Sequence, residues 1–515
     1  MTVKFKNRKI KSIARVLLIF FIFKTTVFAQ ADLIVVNADV RTLEKTKPRA
    51  EAVAVTGNRI SAIGANREIR QMAGANTKII DAGGKLLLPG FNDAHVHFAA
   101  MGNQFFYLDL REAKTPAEVS EKIKFNARFL PEGAWLVGGG WNHANWTPNA
   151  LPTKDLLDAA APAHPVFLYQ RDAKSALASS FALKLARIDD RTRIAGGEIM
   201  RDGAGEANGI LTGAAMDYVR RFAPAGVTPD KLAALETASR YAAAYGVTSV
   251  QDMSADDNTE IYRELARRGK LKTRVYDCAA LSDWQRLVKT DLKKASGDAL
   301  VRRGCLKGLA EGDDEASAAR LFEEISAADR AGLQVMVHAV GSLSNAQTLS
   351  VFERVRRANG VKDRRFRIEH AHGFRPQDIR RFAASGIIAS VQPALFSDGA
   401  GKSFDPLRAL LMNKTALAFG SDSSMIPVDP LAGIAAAVET SDPKQKLSVE
   451  EAVRFYTSGA AYAEFQENEK GTIAVGKLAD LVILSNDIFT INPAEIRTTR
   501  VLTTVFNGRV VFEAQ

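Results

Sequence analysis

The sequence predicts an α/β protein, a TIM (β/α)8 barrel joined to a small β-sandwich that both ends of the chain build together. Three observations predict it. Short β-branched strands alternate with helical patterns from residue 246 to residue 422, the rhythm of a parallel sheet wrapped by helices. Hairpin signals stand near each terminus, at Gly57-Asn58 and Asn507-Gly508, among too few strands for either end to be stable alone. The chain has 515 residues, 46% of them hydrophobic, enough for one large core with additions.

The first 29 residues stand apart. Residues 1–30 carry seven Lys and Arg and no acid, then run through Val16-Leu-Leu-Ile-Phe-Phe-Ile-Phe23 to Ala29. A basic segment, a short apolar core and a small residue are the parts of a secretory signal peptide, so export to the periplasm or the medium is expected. The apolar run is too short to span a bilayer, and no stable span is expected after cleavage. Lys24 behind the core leaves an uncleaved anchor open. Most of the net charge of +11 sits in this leader, so the basic pI does not argue for nucleic acid, and no basic stripe interleaved with aromatics follows it.

Residues 30–86 then read as strands: Leu33–Val36, Ala52–Val55, Ile60–Ile63 and Lys78–Ile80. Residues 472–515 look alike, with Asp480–Leu484, Val501–Phe506 and Arg509–Phe512. One composite β-sandwich is the economical arrangement. The barrel is expected over 87–102 and 231–471. Its strands are the one carrying His95, then Gly246–Asp252, Lys272–Tyr276, Gly304–Gly308, Leu333–His338, Arg365–His370, Ile387–Gln392 and Ala416–Asp422. Helical patterns lie between them at 231–245, 259–268, 316–331, 346–358 and 376–384. The gap between the first two strands is some 150 residues, so 103–230 is read as an insertion over the barrel mouth. Only Cys278 and Cys305 are present. No disulfide framework is expected, and both are read as buried core thiols.

The chemistry gathers where such a barrel keeps its sites, at the C-terminal ends of the strands. His95 and His97 leave the first strand from one face. Lys307 ends the fourth strand, His338 the fifth, His370 the sixth and Asp422 the eighth. Imidazoles and a carboxylate suit a divalent metal, zinc first, with iron or manganese as alternatives. Lys307 joins such a set only if carbamylated, as an anionic bridge between two ions. Asp422 is placed to take a proton from the attacking water and to deliver it to a leaving nitrogen. Gln392 is read either as a contact to a substrate carbonyl or as part of a barrel layer. His372 is a substrate contact or a support for the centre. Trp141 and Lys174 are candidates from the insertion, Lys174 for an anionic substrate group.

The motifs Leu88-Pro-Gly-Phe-Asn-Asp-Ala-His-Val-His97, Arg367-Ile-Glu-His-Ala371, Ser390-Val-Gln-Pro393, Phe419-Gly-Ser-Asp422 and Gly471-Thr-Ile-Ala-Val-Gly-Lys-Leu-Ala-Asp480 resemble, in order and spacing, the metal-dependent amidohydrolase superfamily and its amidohydrolase-3 group. The resemblance implies a distorted barrel, a composite sandwich and hydrolysis of an amide or cyclic amide C–N bond. It also implies His95, His97, Lys307, His338, His370 and Asp422 as metal ligands, with Asp422 as the base for a metal-activated water. The chain departs from that group in three places. Asp172-Ala-Lys-Ser175 replaces Asp-Gly-His-Ser, and Ser342 replaces an Asp after the fifth strand. Lys307-Gly-Leu-Ala-Glu-Gly-Asp-Asp314 enters the next helix without the long loop the group carries there. These departures motivate a second reading, a binding protein that keeps the fold with altered or lost activity. The expected partner is a small amide-like molecule, with a homodimer left open and no nucleic acid.

Overall fold

Eight parallel strands lie side by side in one sheet and nearly close on themselves. They are β1 (Phe91–Val96), β2 (Val247–Ala255), β3 (Arg274–Ala280), β4 (Val301–Leu309), β5 (Gln334–Val340), β6 (Arg367–His372), β7 (Ile388–Val391) and β8 (Leu417–Phe419). A bridge between Val96 at the end of β1 and Ser423, four residues past β8, joins the two edges of the sheet. This is a computed structural model, and it describes residues 1–2, 30–223, 231–310, 314–397 and 405–514. The leader expected over 1–29 lies outside the described residues apart from the first two. Among the described residues no helix is long and apolar enough to cross a membrane.

The strands form because they are short β-branched runs buried on both faces, as a helix-wrapped parallel sheet requires. The connecting helices Lys231–Ala244, Thr259–Arg267, Glu315–Arg330, Ser342–Asn359 and Ile379–Ser385 fall within a few residues of the sequence patterns. The helix Glu315–Arg330 starts where the Asp314 carboxylate accepts the Ser317 N–H, a side-chain N-cap.

Period-two alternation sets the interior. It stacks Gln334, Met336 and His338 on β5, and Cys305 and Lys307 on β4, so the chemistry sits above a packed floor. Met253, Tyr276, Cys278, Cys305 and Met336 form that floor. Cys278 and Cys305 are register partners on β3 and β4, and their sulfurs are bonded to each other. This corrects the expectation of two free core thiols. Two cysteines 27 residues apart in sequence become neighbours because the barrel places consecutive parallel strands in contact, which spacing alone did not show.

The termini build the expected sheets. Ala31–Val36, Ala52–Thr56, Arg59–Gly64 and Ala73–Asp81 form a four-stranded sheet. A second, six-stranded sheet mixes both ends of the chain: Leu481–Leu484 runs antiparallel to Leu86–Pro89, next to Val501–Phe506. The terminal sheet thus runs on to Pro89, and β1 begins one residue after Gly90. The buried Arg274–Asp480 ion pair, 2.6 Å, fastens the barrel to this sheet. Residues 107–213 form a separate six-stranded sheet with its own core around Phe167, Leu183 and Leu211. It adjoins the barrel through Phe105 against Tyr241 and through Arg240, which donates to the Leu130 carbonyl.

Candidate metal centre

The C-terminal ends of the strands bring His95, His97, Lys307, His338, His370 and Asp422 into one place. Rings of His95 and His97 lie 5.6 Å apart, His95 and His370 4.5 Å, and His338 and His370 4.5 Å. Asp422 Oδ1 stands 3.4 Å from His95 Nε2 and 3.3 Å from His97 Nε2. Lys307 Nζ is 3.5 Å from His95 Nε2. Ligand atoms of His95, His370 and Asp422 all fall within 4.8 Å of one another.

Local backbone geometry makes this convergence. His370 and Asp422 both adopt left-handed φ, 57° and 60°, a strained choice for non-glycine residues that turns each side chain off the regular strand direction. The turn holding Asp422 is tied to β1 at three points. Asp422 N–H donates to the His95 carbonyl at 2.8 Å, and His97 N–H donates to the Ser423 carbonyl. The Asp93 carboxylate accepts the His95 and Ser421 N–H groups, each at 3.0 Å. Gly420 lets the two segments touch: a Cβ there would stand 2.6 Å from His95 N and 2.8 Å from Asp93 Oδ1.

Electrostatics keep His95, His338 and His370 neutral. Burial, then the Lys307 charge, holds His95 well below the usual histidine range and brings His370 down to about 4. The same two causes lower His338. Burial lowers the Lys307 amine to about 8, against the pull of Glu369 and Asp422. Burial pushes Asp422 upward, but His97, His95 and His370 beside it outweigh that and leave its carboxyl below the ordinary value. Asp93 rises to about 7 through burial, against its hydrogen bonds from Ser421 and His95.

This donor set fits a cation. Glu369 accepts from His95 Nδ1 at 2.6 Å, which puts the ring proton there and leaves Nε2 as a lone pair. That lone pair faces a carboxylate oxygen, acceptor against acceptor. Asp422 Oδ1 and His370 Nδ1 are buried and accept or donate no hydrogen bond. Buried groups in this condition want a positive partner.

The remaining candidates fare unevenly. Gln392 is fully buried on the interior face, its Nε2 3.4 Å from Ser390 Oγ and its Oε1 without a partner. His372 is part-buried, paired through Nδ1 with Asp405 and stacked on Phe396 at 4.4 Å. Trp141 is buried in the insertion, where its indole N–H donates to the Leu168 carbonyl at 3.0 Å. Lys174 is exposed in the turn after Val166–Gln170. A cavity of about 380 Å³ opens beside Lys307, bordered by Leu281, Ser317, Arg320, Glu324 and Gln347. Sequence reasoning missed Asp93, Glu369 and Asp405. The first two carried a signal, a carboxylate inside a buried barrel strand close in sequence to a histidine of the cluster; Asp405 carried none.

The fold and this cluster define a class, the metal-dependent hydrolases built on an α/β barrel. Residues 78–512 match the amidohydrolase family, and the chain belongs to it, a hydrolase of carbon–nitrogen bonds. It is 33% identical to the protein LONG AFTER FAR-RED 3 of Arabidopsis thaliana, over 89% of this chain and 88% of that one. It is 28% identical to N-substituted formamide deformylase of Arthrobacter pascens, over 94% and 98%. An uncharacterized metal-dependent hydrolase from Pyrococcus furiosus superposes with a TM-score of 0.60 at 25% identity, over 89% of this chain and all of that one.

Proposed function

We propose that the chain is an exported hydrolase that cleaves the C–N bond of a small amide or cyclic amide. His95, His97, His338 and His370 hold one or two zinc ions together with Asp422 and a carbamylated Lys307. The observation that carries this reading is the convergence of four imidazoles at the C-terminal mouth of the barrel around Asp422, whose buried Oδ1 accepts no hydrogen bond. Export is proposed from the basic, phenylalanine-rich leader. The amide substrate is proposed from the likeness to a formamide deformylase.

A divalent ion held by these residues would supply a lowered pKa to the attacking water and polarisation of the scissile carbonyl. The residues divide the rest. His95, His338 and His370 are neutral at pH 7, so their lone pairs are available as ligands. Asp422 is ionised and accepts the proton of the attacking water, then returns it to the departing nitrogen. Its left-handed turn holds it 3.3 Å from His97 and 3.4 Å from His95. Lys307, lowered to about 8, offers the unprotonated amine that carbon dioxide needs. Gln392 Oε1 is buried and has no protein partner, a polar atom left over among the interior side chains.

The test is metal analysis of the purified protein with turnover on a panel of N-acyl compounds, for wild type and Asp422→Asn. Bound divalent metal and a loss of about 100-fold or more in the variant are expected. A protein that takes up no divalent metal, with the variant unchanged, would sink the proposal. Metal uptake with no turnover on the panel favours the binding-protein reading.

A further inference from the structure

We infer that the buried pair Arg367–Glu369 is a positioning device that fixes the tautomer of His95. It rests on the ligand role of His95 proposed above. Both side chains are fully buried on β6, pointing into the barrel beneath the histidine cluster. Glu369 Oε2 meets His95 Nδ1 at 2.6 Å, and the Glu369 and Arg367 side chains form an ion pair at 2.7 Å. A carboxylate only accepts, so a neutral His95 must carry its proton on Nδ1 and show a bare Nε2 to the centre.

Arg367 does more than neutralise a buried charge. Its Nη2 donates to the Ala94 carbonyl at 2.7 Å, the peptide that leads into His95, and to Ser390 Oγ at 3.2 Å. Its Nη1 donates to Gln251. One guanidinium thus holds β1, β2 and β7 from β6, and it grips the backbone of the ligand whose ring Glu369 holds. A buried ion pair kept only for stability has no need of either contact to the ligand strand. Removing one partner of a buried pair weakens the fold, so the test needs a readout in the wild-type protein beside the one in the variant.

Glu369→Gln is that variant. Arg367 is a donor only, so the new amide turns its oxygen toward Arg367 and its NH2 toward His95 Nδ1. That forces the proton to Nε2 and points an N–H where a lone pair is needed. The expected result is a loss of 10- to 100-fold in Zn2+ affinity by chelator competition, with wild-type circular dichroism. In metal-free wild type labelled with 15N-histidine, one imidazole coupled to Glu369 is expected as the Nδ1–H tautomer, and as Nε2–H in the variant. Wild-type Zn2+ affinity in a folded Glu369→Gln protein overturns the inference, as does an Nε2–H tautomer for His95 in wild type. The tautomer is read without metal, so it decides the matter even if the variant does not fold. It also separates this inference from the parent reading, which fails alone if wild type binds no Zn2+ while the tautomer stands.

Discussion

Gly420→Ala tests how closely the centre depends on one missing methyl group. Gly420 joins β8 to the Asp422 turn and does not use left-handed backbone, so alanine brings no φ penalty. With free space, the substitution would stabilise by about 0.4–1 kcal/mol through the unfolded chain. The space is not free. The new Cβ would stand 2.6 Å from His95 N and 2.8 Å from Asp93 Oδ1. Neither neighbour is the end of a flexible side chain: one is backbone, and the other is pinned by two N–H groups. Reaching an ordinary carbon contact of about 3.5 Å requires β1 and the turn to part by nearly 1 Å. Overpacking of this kind costs about 1–3 kcal/mol, so the net sign is destabilising. The same shift moves Asp422 away from His95 and His97, and misplacement on the order of 1 Å costs about 100-fold in rate. Thermal melting and Zn2+ titration of the variant, with turnover on the best N-acyl substrate, are the assays. A variant that melts at or above wild type and binds metal with wild-type affinity would show that the contact between β1 and the turn is not what places Asp422.

Three further outcomes are expected. For the metal-free protein, His370 is depressed to about 4 from an unfolded value of about 6.5, so the unfolded chain binds the extra proton first. Stability is therefore full above pH 6.5 and falls as pH drops toward 4, by about 3 kcal/mol; urea midpoints that stay flat across that window would contradict it. The denatured, unreduced protein should show no free thiol, and Cys305→Ala should cost roughly 3 kcal/mol for a loop closed over 27 residues. Two titratable thiols would refute the bond. Activation of metal-free enzyme by Zn2+ should increase with bicarbonate and carry a 44-dalton mass (about the mass of CO2) on Lys307, and Lys307→Met should lose the bicarbonate dependence; equal activation without bicarbonate would leave the lysine unmodified.

The alternation of strands and helices was legible because each element is locally consistent: β-branched runs, amphipathic helices and turn residues agree on one period at a time. Lys307 and His338 were legible in the same way, since period two puts them above Cys305 and Met336 on inward faces. The disulfide was not. It depends on the register of β3 against β4, and register is a tertiary fact that neither strand encodes alone. The partners of the site were legible only as anomalies. Glu369 is a charged residue buried within a barrel strand, and the reason for it, His95 across the barrel, lies 274 residues away.

His370 shows most sharply where pattern reasoning stops. Arg367 and Glu369 are two apart and both point into the barrel, which by strict alternation sends His370 outward among the helices. It faces the centre instead because its own backbone is left-handed, and Asp422 does the same at the end of β8. The residues that break the strand period are the ones whose side chains must reach a common point above the sheet rather than stand in its layers. Such strain persists only where the surroundings over-determine it. Here the Asp422 N–H bond to the His95 carbonyl, the Asp93 clasp on Ser421 and the 4.5 Å packing of His370 between His95 and His338 supply that determination. Other non-glycine residues of the fold adopt left-handed φ away from the site, so it is these contacts, rather than the φ values alone, that tie the two residues to the centre.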